Sequence, residues 1–223
     1  MDIDYLNLTY RSMPLLMQGA WMTLQVLLAA SSISLCVGIL LGILTCNRLR
    51  SNAIAPFVEV ITFILRAVPF YVQLLIVYFV LPDLLNINME AFTASIIALG
   101  LCSSAYTAQV VRCGINSIPT EQWESASTLG YSTPACLRYI IFPQMLRNVL
   151  PAITNELDAL LKSTAILSSI GLLELTRMGM NIVSREMEPL AIYLTIAVFY
   201  VIISGGINLV SRSIEKRFRY VNS

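Results

Sequence analysis

Apolar positions run along this chain in blocks too long for strands and too continuous for the one-sided stripe of a soluble helix. Between Arg11 and Arg48 lie 36 uncharged residues (12–47). Another 21 separate Glu90 from Arg112 (91–111), and 190–210 is a third uncharged stretch. A bilayer core of about 30 Å is crossed by about 20 helical residues, and only structures that satisfy their own backbone hydrogen bonds can cross it. The pattern predicts an all-α membrane protein with five transmembrane helices. The first lies within Met13–Cys46, and the others cover about 54–81, 91–111, 148–170 and 190–210. The first stretch exceeds one crossing, so it is expected to tilt or to start along the interface. Pro56 and Pro69 are expected to bend the second span or set its ends. The fourth has the weakest apolar pattern, because it holds Glu156, Asp158 and Lys162.

Composition sharpens this picture. Apolar residues make up 57% of the chain and charged residues only 12%, against about 25% charged in soluble domains. The absence of histidine excludes a His-ligated haem or zinc and any His-based catalytic triad, and no enzyme activity is expected. Cys36, Cys46, Cys102, Cys113 and Cys136 form no CxxC pair and are expected to be small buried residues without disulfides. The start Met1-Asp2-Ile3-Asp4 lacks the basic region of a cleaved signal peptide. A net charge of +1, with no basic cluster carrying interleaved aromatics, gives no sign of nucleic-acid binding. With no long-period or inverted repeat visible, residues 1–223 read as a single membrane domain.

Basic residues set the expected orientation. With the N-terminus outside and the C-terminus in the cytoplasm, the inner segments carry Arg48, Arg50, Arg112, Arg138, Arg147, Arg212, Lys216, Arg217 and Arg219. The outer segments carry Arg11, Arg177 and Arg185. Nine against three follows the positive-inside rule and places the loop 112–147 in the cytoplasm. The C-terminal basic group is expected to meet anionic headgroups.

That loop is the most informative polar segment. Pro119 precedes Thr120, a predicted N-cap, with Glu121 and Glu124 at the positive end of the helix dipole. A short helix from Glu121 to Leu129 is predicted to end at Gly130. A second is predicted to start at Ser132 or Thr133 with Pro134 in its first turn. Ser125, Ala126 and Ser127 are small enough for close approach by a partner. The same signals also describe an amphipathic interfacial loop.

A resemblance separates these readings. Glu124, Ala126, Gly130, Ile140 and Pro143 fall at the intervals of the EAA loop of ABC importer permeases, with Ser125 and Phe142 as mild departures. Further segments resemble permease subunits of polar amino-acid ABC importers in order along the chain. They are Gly19-x-x-x-Thr23-Leu24, Arg66-Ala67-Val68-Pro69, Ala105-Tyr106-Thr107-Ala108, Arg112 with Gly114 and Ile115, Asn155-Glu156, and Leu160-Leu161-Lys162-x-Thr164. The resemblance covers about residues 19–175 and implies a family core over about 19–211. It implies the type I importer permease fold in a bacterial inner membrane, and ATP-driven uptake of polar amino acids. It also implies partners: ABC ATPase subunits, a second identical or related permease subunit, and an extracytoplasmic amino-acid-binding protein. The ATPase would dock on Glu121, Glu124, Ser125, Ala126, Gly130 and Pro143, and the binding protein on 82–90 and 171–188. The chain has no phosphate-binding loop of its own, so no cofactor is expected in it and ATP would be held by the partner. A secondary transporter or channel, and a non-transporting scaffold, are the competing classes.

Charges inside the spans are the remaining chemistry. An ionisable side chain at the bilayer centre costs about 2.5–3.5 kcal/mol on insertion scales, so those that persist should face a cavity or a partner. Asp158 and Lys162 are spaced for a helical pair, with Glu156 on another face and Arg66 three residues before Pro69. One reading is a polar substrate path, in which Arg66 or Lys162 faces a carboxylate and Glu156 or Asp158 an ammonium or guanidinium. The other is an internal salt-bridge network that only joins the spans. Asp158 is expected to bias the path toward cationic or polar amino acids. An Asp158→Asn variant should then alter the competition of lysine and arginine in uptake assays, and an unchanged profile would remove that role.

Overall fold

The structure, a computed structural model, describes residues 5–50 and 52–219. Met1–Asp4, the basis of the signal-peptide expectation, and the Arg219 side chain lie outside the described residues. Among the described residues every regular element is helical. The helices are α1 (Tyr5–Thr45), α2 (Ile54–Ala67), α3 (Phe70–Leu75), α4 (Leu81–Leu85), α5 (Ala91–Asn116), α6 (Thr120–Thr128), α7 (Thr133–Cys136), α8 (Phe142–Ser163), α9 (Leu175–Glu186) and α10 (Pro189–Arg219). Two π-helical turns, Ile76–Val80 and Leu137–Ile141, and a 3-10 segment, Thr164–Ile170, complete them. Among the described residues three helices are long and apolar enough to cross a membrane, or up to five if each of two bent pairs is one span.

Several boundaries differ from the sequence expectation. Helix α1 runs from Tyr5 rather than from near Met13, because a helix need not stop where the apolar pattern does: exposed Arg11 lies within it. Pro69 sits between α2 and α3, where Val68 is extended (ψ 130°), the conformation a following proline imposes. The segment 171–189, between the fourth and fifth predicted spans, contains a helix that the apolar pattern does not predict, α9. Its buried Leu175, Gly179 and Ile182 recur at helical spacing. Thr120 is the first residue of α6 and Pro119 occupies the N-cap position, with no side-chain capping bond. Of the cysteines, Cys46, Cys102 and Cys136 are buried while Cys36 and Cys113 are exposed, and all five are free.

Cα packing divides the chain into two compact units. The first comprises Met1–Ser32, Pro69–Gly100 and Asp158–Ile207. One of its cores joins Val26 and Ala30 of α1, Leu74 of α3, Leu99 of α5, Leu161 of α8 and Leu167. A second joins Leu16 and Ala20 of α1 with Leu175 and Ile182 of α9 and Ile192 and Ile196 of α10. Glu174, wholly buried, caps α9 by accepting from the backbone N–H groups of Thr176 (2.8 Å) and Arg177 (2.7 Å). Thr23 Oγ1 accepts from the Leu175 N–H at 3.1 Å, so α9 is fixed at its first turn to α1.

The second unit comprises Ile33–Val68, Leu101–Leu157 and Asn208–Ser223. Its core gathers Cys46, Val111 and Ile115 of α5, Ala126 of α6, Cys136, Ile141, and Met145 and Val149 of α8. Helix α1 meets α5 across glycines. A Cβ at Gly38 would lie 2.5 Å from Thr107 Cβ, and one at Gly42 would lie 2.7 Å from Val111 Cβ. Gly38-x-x-x-Gly42 therefore serves packing within the subunit, as small residues do where membrane helices approach closely. A Cβ at Gly205 would meet nothing within 4 Å. Gly38→Ala and Gly42→Ala should each destabilise the protein by about 1–3 kcal/mol of overpacking, less about 1 kcal/mol of gained helix propensity. Gly205→Ala should only gain the propensity. Apparent melting temperatures in detergent check the contrast.

Candidate functional site

Two features of the second unit bring the predicted residues together. The first is the α6 helix. Its residues Glu121, Glu124, Ser125 and Ser127 are exposed, whereas Ala126 is 1% exposed and seated in the core between α5 and α8. Trp123 packs beside it, and Gln144 Nε2 of α8 donates to Gln122 Oε1 at 3.3 Å. Gly130 adopts φ +80° and leaves room for a Cβ, so its backbone conformation rather than lack of space selects glycine. The Tyr131 N–H donates to the Ala126 carbonyl at 3.0 Å and closes the helix. Leu129, Tyr131 and Tyr139 stay exposed nearby, Leu129 at 75%. The result is an acidic and apolar surface patch on a helix anchored from below. Pro143 is half-buried in the first turn of α8, outside the exposed face of α6. Sequence reasoning grouped Ala126 with the docking surface, but its burial makes it the seat of the helix.

The second feature is a pair of clefts. One, of about 280 Å³, is lined by Glu59, Thr62 and Arg66 of α2 and Gln109 and Arg112 of α5. The other, of about 500 Å³, is an open groove along the seam of α5 and α8, lined by Tyr106, Gln109, Cys113, Asn148 and Glu156. Gln109 lines both. Arg66 Nη1 donates to Gln109 Oε1, and Arg66 Nε donates to the Thr62 carbonyl at 3.1 Å. Ser103 Oγ donates to Glu156 Oε1 at 2.8 Å. Glu59 bridges Arg50 (3.2 Å) and Arg112 (3.3 Å). Such a site offers a cation held by an amide and, across the shared glutamine, an anion held by a hydroxyl. Its volumes fall around the 300–1,000 Å³ of small-molecule sites.

The structure does not assign the other two intramembrane charges to these clefts. Asp158 and Lys162 belong to the first unit. Lys162 Nζ lies 2.6 Å from Asp158 Oδ2, and Ser204 Oγ of α10 donates to Asp158 Oδ1. The predicted pair forms, and a third partner joins it. Glu59, Gln109 and Ser103 were missed by sequence reasoning. Glu59 carried the one available signal, an acid inside an apolar span.

Comparisons with known proteins agree with this architecture. Residues 13–220 match the family described as binding-protein-dependent transport system inner membrane component, and the chain belongs to that family. It is 34% identical to the glutamine transport system permease protein GlnP of Escherichia coli (strain K12), over 98% of this chain and 99% of that one. It is 30% identical to the arginine transport system permease protein ArtQ of Bacillus subtilis (strain 168), again over 98% and 99%. The structure of an amino acid ABC transporter with histidines superposes with a TM-score of 0.86 at 32% identity, covering 97% of this chain and 100% of that one. An inward-facing form of the MetNI methionine ABC transporter shares the fold at a TM-score of 0.80 and 22% identity, covering 92% and 97%. The chain is thus an inner-membrane permease component of that transport family, with the type I permease fold.

The seating of α6 has a testable consequence. Ala126→Glu would place a charge in the core beside Cys46 and Ile115, and should release α6 from α5 and α8. Ser125→Glu, one residue away on the exposed face, should not. Limited proteolysis of the 117–133 segment in detergent is expected to accelerate at least about tenfold in the first variant, the population effect of a loss beyond about 1.4 kcal/mol.

Proposed function

We propose that this chain forms half of the translocation path of an ATP-driven importer for polar amino acids, and that α6 is the foot on which a separate ATPase acts. The observation that carries the reading is the shared core. The exposed acidic face of α6 rests, through Ala126 and Trp123, on the same packing of α5 and α8 whose seam forms the groove at Glu156. A displacement of α6 therefore acts on the walls of the path. The loop faces the cytoplasm with the C-terminus, and the segments 82–90 and 171–188 face outward to a binding protein that delivers the substrate. Exposed Leu84, Ile87, Met180 and Met187 lie there. ATP is bound and hydrolysed by the partner, and a second permease subunit, identical or related, completes the path.

Linkage supplies the mechanism. An ATPase can only shift the permease between inward- and outward-facing states by as much as it binds one state better. In this reading Arg66 faces the substrate carboxylate and Glu156 its ammonium group. The relatives named for glutamine and arginine support a polar amino-acid substrate.

The test is reconstitution of the chain with its ATPase, second permease and binding protein in liposomes. Uptake is expected to require both the ATPase and ATP, and Glu124→Lys should cut it at least about tenfold without lowering the melting temperature. A cysteine at Ser127 should cross-link to the ATPase. Uptake that persists without the ATPase would identify a secondary transporter instead.

A further inference from the structure

Behind Glu156 lies a run of hydroxyl groups that the transport reading does not require. Ser103 Oγ donates to Glu156 Oε1 at 2.8 Å. Ser34 Oγ lies 2.8 Å from Ser103 Oγ and 2.8 Å from Thr107 Oγ1. Ser34, Ser103 and Thr107 are 2%, 5% and 2% exposed. Each hydroxyl has one proton to give, so the direction of the chain is fixed. Ser103 uses its proton on Glu156, and Ser34 must therefore donate to Ser103. With its proton so used, Ser34 must accept from Thr107. All three dipoles point toward the carboxylate, and hydrogen bonds aligned in one direction polarise one another. The chain exists because Gly38 lets α1 approach Thr107 of α5.

We propose that Thr107, Ser34 and Ser103 are positioning residues for substrate recognition. They hold the Glu156 carboxylate charged and in one rotamer at the groove, ready for the ammonium group of the amino acid. The inference rests on the reading of Glu156 as a substrate contact. The competing account is interhelical adhesion, in which hydroxyl pairs contribute about 0.6 kcal/mol on average to membrane helix packing and do nothing for the ligand. The two differ in what Thr107→Val removes. Valine keeps the shape and takes away only the first donor, two hydroxyls distant from Glu156.

Equilibrium binding of radiolabelled L-glutamine and L-arginine to the purified permease–ATPase complex tests the proposal. Omitting the binding protein keeps that protein's affinity from masking the effect. Thr107→Val is expected to raise Kd about five- to tenfold, the scale of one net hydrogen bond, with the melting temperature unchanged. Thr107→Ser should restore the Kd to within about twofold. In a Glu156→Gln background Thr107→Val should add nothing further, because the chain acts through that carboxylate. If Glu156→Gln raises Kd and Thr107→Val lowers only the melting temperature, the hydroxyls are adhesion and the proposal fails alone. If Glu156→Gln leaves Kd unchanged, or the wild-type complex binds neither amino acid, the substrate reading fails and takes the proposal with it.

Discussion

A helix in hydrocarbon cannot turn a polar side chain toward water, so each internal hydroxyl or charge needs a partner on a neighbouring helix. In the second unit that requirement is met by close approach. Apolar contact between helices gains little over contact with lipid, and small residues compensate by bringing backbones together. Gly38 and Gly42 bring α1 onto α5, and Gly114 brings α5 onto α8, where a Cβ would fall 2.2 Å from Val149 Cγ1. Only at such distances can Ser34 reach both Ser103 and Thr107, and only then is Ser103 held against Glu156. The glycines thus act first on packing, and through packing on the placement of a charge.

The same core explains how a short polar helix can bear a load. Helices shorter than about 12–15 residues are marginal alone in water, and α6 has nine residues with few apolar side chains. Its order is borrowed from the membrane part of the molecule through Ala126, Trp123 and the Gln122–Gln144 bond. A partner that grips the exposed face of α6 therefore grips an extension of the α5–α8 packing rather than a loose loop. The π-helical turn Leu137–Ile141 sits between α7 and α8 within this assembly, with Ile141 fully buried. Such turns widen a helix by one residue and recur at functional positions.

Much of this was legible in the residues. The all-helical class, the break at Pro69, the end of α6 at Gly130 and the Asp158–Lys162 pair all follow from local rules that tertiary packing did not overrule. Helix α9 was missed because its polar composition hid a short buried stripe, although Glu174 before Leu175, Gly179 and Ile182 was a capping signal followed by helical spacing. The hydroxyl chain could not be read at all. Serine and threonine in a span are common, and nothing in their spacing says that residues 34, 103 and 107 meet. Ala126 was legible as a small residue, but smallness fits an exposed contact and a buried seat equally well, and only burial separates them.

The charges show why partners matter more than positions. Asp158, Lys162, Glu59 and Arg112 all sit in apolar helices, and each is engaged by an opposite charge at 2.6 to 3.3 Å. Pairs of this kind lower the cost of carrying a charge through the membrane but leave little for a ligand. Arg66 and Glu156 are different, since their named partners are neutral: an amide and a backbone carbonyl for one, a hydroxyl for the other. A neutral donor or acceptor orients a charge without cancelling it. A guanidinium and a carboxylate so held, on clefts that share Gln109, keep their fields available to a zwitterion that brings the opposite charges with it. Neutralising either by a paired counter-ion would stabilise the helix around it and, on the proposed reading of these two residues as substrate contacts, remove the reason for a substrate to enter.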